Sequence, residues 1–236
     1  MTHPKTRRAF HRLTLLPAVL LLAACACHPH HPATETNLGQ LKTHLRQYQS
    51  SGTYESEIRL AEQPAVDWLR LRAPQVQKPA LVLDIDETSL SNWSQLVAND
   101  FGYIPKAPCD ALPKGPCGME DWQRLATAPA IAPTHDLFVL ARQLGVSVFF
   151  VTGRPEHLRE VTASNLHNAG YDGYVELRLR PEGQSGPVAP YKSGERAAIE
   201  AEGYTIIANI GDQWSDLDGG HAEKAFKLPN PFYFLP

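Results

Sequence analysis

The chain has 236 residues, of which 43% are hydrophobic and 20% charged, and its formal net charge at pH 7 is −3. The first 24 residues hold four of the 22 Lys and Arg residues and none of the 25 Asp and Glu residues, so the remaining chain has a net charge of about −7. This acidic balance argues against nucleic acid as a partner, because phosphate backbones demand a basic surface. The roughly 210 remaining residues suit one α/β domain with an insertion.

The amino terminus has the composition of an export signal. Four basic residues without an acid precede the apolar run LTLLPAVLLLAA, which is shorter than the ~20 residues needed to span a bilayer. The letters LAAC, ending at Cys25, resemble the lipobox of bacterial lipoproteins, in which this Cys is diacylated and becomes the new amino terminus. The resemblance predicts a signal peptide over 1–24, lipidation of Cys25 and a polar tether over 25–37; a buried amino-terminal helix is the alternative. Because Ala26 replaces the Asp that often signals inner-membrane retention, we expect a lipid-anchored protein of the cell envelope, on the outer membrane and facing the periplasm.

Helices and strands alternate from residue 38 onward. Apolar residues at helical spacing predict helices over 38–48, 54–72, 134–145, 156–169 and 191–202. Short apolar runs predict strands over 80–84, 146–151, 174–179 and 205–210, and KAFKLP closes the series. Pro64 is expected to bend or split the second helix. Strands that are apolar along their whole length indicate a parallel sheet covered by helices on both faces, so the predicted fold class is α/β.

A segment of different composition, 92–132, interrupts this alternation. It contains Trp93, Trp122 and five prolines. An insertion after the first strand lies at the carboxyl edge of a parallel sheet, where such sheets bind ligands, so we predict a cap over the site; a long surface loop is the alternative. Cys109 and Cys117 enclose the short loop CDALPKGPC, which in an oxidising periplasm indicates a disulfide. A zinc site is the weaker alternative, because no His lies nearby.

Acidic residues cluster where the first predicted strand ends. In ALVLDIDETSLSN, residues 80–92, four apolar residues are followed by Asp84, Asp86 and Glu87. Extended backbone places Asp84 and Asp86 on the same side, and burying a carboxylate is costly unless it is paired or coordinates a metal. Mg²⁺, which binds carboxylates, carbonyls, waters and phosphate oxygens, would remove this cost. One Asp could then attack a phosphorus atom while the other transfers the leaving-group proton, although DxDxT alone is equally compatible with a solvated turn.

Three further positions carry groups suited to phosphate or metal. In VFFVTGRP, Thr152 and Gly153 follow an apolar strand and offer a hydroxyl and N–H groups to a phosphoryl oxygen. In APYKSGER, Lys192 near a helix start is a point charge suited to phosphate. In NIGDQWSDLDG, a strand again ends in acids, Asp212 and Asp216. Taken singly, Thr152 would be an ordinary strand-end residue and Lys192 would more often be a surface lysine, and an acidic turn after a strand is also common without function.

The order strand–DxDxT, strand–TG, Lys, strand–GDxxxD resembles the four-motif pattern of the haloacid dehalogenase (HAD) superfamily. The segments LDIDETSLSN, VTGRPEHLREVTASNLHNAGY, YKSGER, NIGDQWSDL and FKLPNPFYF resemble its class B-type, subfamily IIIB acid phosphatases, which include plant vegetative storage proteins and bacterial lipoprotein acid phosphatases. The resemblance covers roughly residues 40–236. It implies a HAD-like Rossmannoid parallel sheet flanked by helices, in a phosphatase domain over 38–236 with a small cap over 92–132 inserted after the first core strand.

The resemblance also implies a role for each motif residue. Asp84 would be the nucleophile that forms an aspartyl-phosphate, and its second oxygen would bind Mg²⁺. Asp86 would act as general acid and then base, with its main-chain carbonyl on the metal. Because Asp86 would have to start protonated, we expect activity to favour mildly acidic pH. Glu87 and Thr88 are expected to shape the turn.

The remaining motif residues are implied to bind the phosphoryl group and the metal. Thr152, Gly153 and Lys192 would hold the phosphoryl group, and Lys192 would also offset the charge of the nucleophile. Asp212 would be the acidic Mg²⁺ ligand, supported by Asp216.

The function implied is a Mg²⁺-dependent acid phosphatase that hydrolyses small phosphate monoesters at the cell envelope. One alternative stays enzymatic, a specific 5′-nucleotidase or a phosphotransferase on the same fold. The other is a non-catalytic storage or binding protein, as some plant relatives are. Those relatives lose the nucleophilic Asp, whereas Asp84 is present here.

Overall fold

The structure, a computed structural model, describes Met1 and residues 36–235. The predicted signal peptide, most of the predicted tether and the lipidation site Cys25 lie outside the described residues. Among the helices of the described part, none combines the length and the apolar character needed to cross a membrane.

Strands and helices follow one another along the described residues, as the sequence predicts. The helices are α1 (Leu38–Ser50), α2 (Thr53–Arg72), α3 (Trp93–Ala98), α4 (Met119–Leu125), α5 (Ala132–Gln143), α6 (Arg159–Asn168), α7 (Val188–Ala201) and α8 (Trp214–Leu217). The strands are β1 (Pro79–Leu83), β2 (Ser147–Pro155), β3 (Glu176–Arg180), β4 (Thr205–Gly211) and β5 (Ala225–Lys227). Single 3₁₀ turns follow α2 and β2, at Ala73–Gln75 and Glu156–Leu158.

The five strands form one parallel sheet in the order β3-β2-β1-β4-β5. Every residue of the central strand β1 is buried. Leu81 and Leu83 pack into the core shared with α2, α5 and α6, whereas Ala80 and Val82 pack into the smaller core formed with α7. This alternation along β1 confirms the predicted α/β fold, in which helices cover both faces of a parallel sheet.

Two local predictions differ from the structure. β2 extends beyond the predicted strand 146–151 to Pro155, which pairs with Arg180 of β3. The strand therefore includes the residues TGR after the apolar run from which it was predicted. α2 remains a single helix through Pro64, so this proline does not split it. Pro64 is exposed, and the carbonyl of Leu60 that its missing N–H leaves unpaired can bond to water.

The predicted cap segment contains α3 and α4, two helices of six and seven residues. The predicted disulfide between Cys109 and Cys117 is present. The carbonyl of Cys117 accepts hydrogen bonds from Gln95 Nε2 (3.0 Å) and Asn99 Nδ2 (2.6 Å). The disulfide loop is therefore bound to α3, and this loop, rather than helix propensity, fixes where the short helix lies.

Candidate active site

Asp84 lies at the carboxyl end of β1, and its backbone continues the sheet for one residue. The Asp84 N–H donates to the Ile210 carbonyl of β4 at 3.0 Å. The chain then reverses at Glu87, which has a φ of +56° and is fully buried. The Glu87 carboxylate accepts from the Asn92 N–H at 2.5 Å and from the Tyr54 hydroxyl at 3.2 Å. Glu87 therefore shapes the turn that presents Asp84, as expected.

Asp84, Asp212 and Asp216 converge on one buried point. Each offers a carboxylate oxygen, and these oxygens all lie within 4.8 Å of one another. Lys192 from α7 contacts Asp84 Oδ1 and donates to Asp216 Oδ1 at 2.7 Å. Three motifs thus contribute four residues to one point, because β1 and β4 are neighbours in the sheet and α7 packs beside them.

The three carboxylates carry more negative charge than Lys192 neutralises. Burial raises the pKa of Asp84 well above its usual value; the Lys192 charge opposes this shift, and the neighbouring carboxylates add to it. Burial, and then the charge of Asp216, raise the pKa of Asp212 to about 7. Burial alone would lower the pKa of Lys192, but Asp216 and Asp84 outweigh it and raise that pKa. The cluster therefore favours an additional cation.

Asp212 is oriented by three hydrogen-bond donors from different parts of the chain. The Thr88 hydroxyl donates to Oδ1 at 3.0 Å, and the Gln213 and Asn230 amides donate to Oδ2 at 2.7 Å each. Thr88 therefore links the first acidic motif to the last, beyond its expected role in the turn. Asn230, in the segment FKLPNPFYF, received no role from the sequence.

The side chain of Asp86 points to a partner that the sequence analysis missed. Arg154 binds it with both ends of its guanidinium, Nε to Oδ2 at 3.0 Å and Nη2 to Oδ1 at 2.7 Å, and Asn92 Nδ2 adds a bond at 2.9 Å. Burial works to raise the pKa of Asp86, but the charge and hydrogen bonds of Arg154, together with Asn92, hold it below its usual value. These contacts favour the ionised form of Asp86, so it has to take up a proton before it can act as the expected general acid. The sequence carries no signal for this pairing, because the register of β2 is irregular between Val151 and Pro155 and alternation does not place Arg154.

The TG motif lies beside this ion pair. Thr152 is fully buried, and its hydroxyl accepts from the Arg154 N–H at 3.2 Å. Gly153 and Arg154 line the cavity above the acidic cluster. Of the predicted phosphate-binding residues, Gly153 and Lys192 thus reach the cavity wall, while Thr152 supports it.

The cavity has a volume of about 590 Å³, with the acidic cluster on one side. Its other walls are mainly apolar and come from three regions. The cap contributes Leu96, Phe101, Tyr103 and Met119; the core contributes Leu158 and Val188; the carboxyl-terminal segment contributes Tyr233, Phe234 and Leu235. A charged floor under apolar walls suits a ligand with an anionic head and a less polar body.

A parallel α/β sheet that brings a DxDxT acid pair, a buried lysine and a GDxxxD acid pair to one edge has the architecture of a HAD-type protein. The family described as HAD superfamily, subfamily IIIB (acid phosphatase) matches residues 12–236. The chain belongs to this family.

Several curated relatives of the chain come from plants. It is 38% identical to acid phosphatase 1 of Solanum lycopersicum over 156 residues, which are 65% of this chain and 58% of the relative. It is 32% identical to vegetative storage protein 1 of Arabidopsis thaliana over 158 residues, 66% of this chain and 55% of the relative. The chain thus spans a little over half the length of these relatives.

A solved structure shares the fold. The class C acid phosphatase from Bacillus anthracis superimposes with a TM-score of 0.66 at 21% identity, over 84% of this chain and 86% of that chain.

Proposed function

We propose that this protein is a Mg²⁺-dependent acid phosphatase that hydrolyses small phosphate monoesters through a phosphorylated Asp84. The observation that carries the proposal is the buried cluster of Asp84, Lys192, Asp212 and Asp216 at the sheet edge. Membership of an acid phosphatase family supports the reaction class.

The donor set fits a divalent cation. Three buried carboxylates within 4.8 Å of one another face the single charge of Lys192, and oxygen ligands of this kind suit Mg²⁺. Asp84, Asp212 and the main-chain carbonyl of Asp86 would hold the ion, with Asp216 supporting them. When bound, Mg²⁺ supplies positive charge that stabilises the charge developing on the phosphoryl oxygens.

The protein residues divide the reaction into two displacements. In the first, a carboxylate oxygen of Asp84 attacks phosphorus, the bond from phosphorus to the ester oxygen breaks, and the leaving alcohol takes a proton from Asp86. In the second, water attacks the phosphorus carried by Asp84 and gives a proton to Asp86; the bond from phosphorus to the Asp84 oxygen breaks, which releases inorganic phosphate and regenerates the carboxylate. Lys192 holds the attacking carboxylate and the phosphoryl group.

The pairing of Asp86 with Arg154 affects the two displacements differently. An ionised Asp86 is ready to accept the proton of water in the second displacement. It must gain a proton before the first, so a fall in pH favours that displacement. The preference for mildly acidic pH would then arise from protonating Asp86 against Arg154.

Phosphate release from a panel of esters tests the function. The panel should contain a nucleotide, a sugar phosphate, an alkyl phosphate and p-nitrophenyl phosphate, each assayed with Mg²⁺ and with chelator. We expect release in Mg²⁺, none in chelator, and none from Asp84→Asn in either. Turnover of one nucleotide class alone would favour the specific 5′-nucleotidase, and transfer to added alcohols a phosphotransferase. A folded wild-type protein that releases no phosphate would favour the non-catalytic storage protein.

We also propose that the protein is anchored in the cell envelope by lipid on Cys25. Each buried methylene group contributes about 0.8 kcal/mol, so two acyl chains together give stable attachment. Cys27, two residues further on, provides a matched control. We expect the wild-type protein and Cys27→Ala to partition into detergent, and Cys25→Ala to stay in the aqueous phase or to retain its signal. Equal partitioning of all three proteins would refute the anchor.

A further inference from the structure

Arg196 is a fully buried arginine on α7, one helical turn after Lys192. Its guanidinium donates three hydrogen bonds, all to main-chain carbonyls of α8 and of the loop that follows it. Nη1 donates to the Asp216 carbonyl at 2.7 Å, Nη2 to that of Asp218 at 2.5 Å, and Nε to that of Gly220 at 2.8 Å.

This guanidinium lacks an ion-pair partner in the described part of the chain, where no carboxylate oxygen lies within 4.0 Å of it. Burial lowers the pKa of Arg196, and the charge of Asp216 opposes this shift. A buried charge without a directly bonded counter-ion costs stability, and apolar side chains of similar volume often replace such groups without loss. Packing alone therefore does not account for arginine at this position.

One of the three hydrogen bonds of Arg196 holds Asp216, whose carboxylate also contacts Lys192. The Asp216 carboxylate is held by Lys192 Nζ on Oδ1 and by the Gln213 N–H on Oδ2 at 2.8 Å. Its carbonyl is held by Arg196 and by Asn209 Nδ2 at 2.9 Å. α7 thus binds Asp216 twice, at the carboxylate through Lys192 and at the backbone through Arg196.

The rest of the loop is bound to the same helix. Ser193 Oγ donates to the Gly219 carbonyl at 2.8 Å. Gly219 has a φ of +87°, and an added Cβ would lie 2.5 Å from Ser193 Oγ, so loop and helix are in direct contact there. Hydrogen bonds from Ser193 and Arg196 therefore join residues 216–220 to α7.

We infer that Arg196 is a positioning residue of the metal site. It fixes the orientation of the Asp216 carboxylate and places a second positive charge behind the acidic cluster, so the site keeps its shape when the cation is absent. This inference rests on the proposed Mg²⁺-dependent function. Its consequence is specific: loss of Arg196 weakens Mg²⁺ binding while the cavity for the ester is left intact.

Arg196→Lys and Arg196→Gln test this role, the first keeping the charge and the second removing it. Groups that orient metal ligands change metal affinity by about 10–100-fold when replaced. We expect the dissociation constant for Mg²⁺, measured by calorimetry without substrate, to rise by about tenfold in Arg196→Lys and further in Arg196→Gln. In assays at saturating Mg²⁺, KM for the ester should stay within about threefold of the wild-type value, as residues that contact the ester are unchanged.

Arg178→Lys is the matched control, because Arg178 is another largely buried arginine that contacts α7. It binds Glu195 of that helix at 3.3 Å and has carboxylate partners rather than loop carbonyls. The Mg²⁺ affinity of Arg178→Lys should equal that of the wild type. A folded Arg196 variant with unchanged Mg²⁺ affinity overturns the inference, as does an equal loss in Arg178→Lys.

If neither Arg196 variant folds, Ser193→Ala carries the test. This change removes one loop contact at an exposed hydrogen bond, and we expect Mg²⁺ affinity to fall by about threefold; no change would overturn the inference. A wild-type protein that binds no Mg²⁺ without substrate and releases phosphate equally well in chelator would instead refute the metal dependence in the proposed function.

Discussion

Asp84 and Asp86 are two residues apart, yet their surroundings drive their ionisation in opposite directions. Burial among other carboxylates raises the pKa of Asp84, whereas the two-pronged contact with Arg154 lowers that of Asp86. Taken alone, these directions favour a protonated Asp84 and an ionised Asp86, whereas the proposed first displacement needs the reverse; a cation bound at the acidic cluster would favour the ionised form of Asp84. The first tests therefore belong at these two residues.

Replacing each aspartate by asparagine tests the roles of nucleophile and general acid separately. Asp84→Asn keeps the shape but removes the attacking charge, so activity should fall to background on every ester. Asp86→Asn should reduce turnover of alkyl phosphates by about 10²–10⁴-fold, the usual contribution of a positioned acid or base. Its effect on p-nitrophenyl phosphate should be smaller, because this phenolate leaves without a proton.

The comparison needs kcat for both variants on both substrates. Substantial turnover by Asp84→Asn, or an equal loss on both substrates in Asp86→Asn, contradicts these roles.

Two glycines at the site are expected to differ in their tolerance of a side chain. An added Cβ at Gly211 would lie 2.3 Å from the Asp216 Cβ, whereas at Gly153 it would meet only the Val188 side chain at 3.4 Å. We expect Gly211→Ala to lower the free energy of unfolding by about 1–3 kcal/mol and Gly153→Ala to leave it within about 0.5 kcal/mol.

Urea unfolding of the two alanine variants beside the wild type measures this difference. Equal stability of Gly211→Ala and Gly153→Ala would show that the loop at Asp216 yields to the added methyl group.

The sequence predicted which acids and which lysine meet, but not how they are oriented. Asp84, Lys192 and Asp212 follow from motif order, because the carboxyl ends of parallel strands lie along one edge of the sheet. Arg154 and Asn230 were missed, since their importance depends on which side chain lies across the cavity. Neither local periodicity nor spacing encodes such contacts.

At the scale of elements, α4 of the cap is joined to the core by a histidine between two glutamates. His157 lies in the turn after β2; its Nε2 is 3.1 Å from Glu120 Oε1 of α4, and its Nδ1 is 2.7 Å from Glu182 Oε1. Glu120 and the neighbouring Leu158 both line the cavity. A neutral imidazole has one N–H, so only the imidazolium can donate to both carboxylates at once.

The two glutamates raise the pKa of His157 above its ordinary value, Glu182 more than Glu120. A group with a raised folded-state pKa contributes its full stabilisation below the unfolded pKa, about 6.5 for histidine. That contribution is lost as pH rises through the higher folded pKa. We therefore expect His157→Gln to lower the unfolding temperature at pH 5.5 and to have little effect at pH 9.

NMR titration of the His157 ring should give a midpoint above 6.5 that falls in Glu182→Gln and, by less, in Glu120→Gln. Lys106 and Arg124 also contact Glu120, so Glu120→Gln changes more than one ion pair. A wild-type midpoint at or below 6.5 would contradict the bridge.

The elements of the sheet and the elements of the cap differed in how far the sequence predicted them. β1 and β4 were located to within two residues, because the buried strands of a parallel sheet are mostly apolar. α3 and α4 were not located at all, since six or seven residues are too few to show a helical period. Their placement depends on the disulfide loop and on contacts such as Gln95 with the Cys117 carbonyl.

At the scale of the whole molecule, the site joins parts of the chain that only folding brings together. Asp84 follows β1 and Asp212 follows β4, 128 residues later, and their carboxylates meet only in the completed sheet. Without a cation, their mutual repulsion acts against the folded state alone. An ion that binds the folded site must therefore stabilise the entire domain.

Mg²⁺ should raise the unfolding temperature, and removing one ligand should abolish the effect. A ligand at 100 times its dissociation constant stabilises the folded state by about 2.7 kcal/mol, which corresponds to about 5–10 °C for a domain of this size. We expect that shift in the wild type and in Asp110→Asn, which removes an exposed charge from the cap. Asp212→Asn should show no shift, because it removes an oxygen ligand from the buried cluster. Calorimetric scans in chelator and in Mg²⁺ provide the measurement. A wild-type protein that needs Mg²⁺ for turnover but shows no shift would mean that the ion enters only together with the phosphate ester.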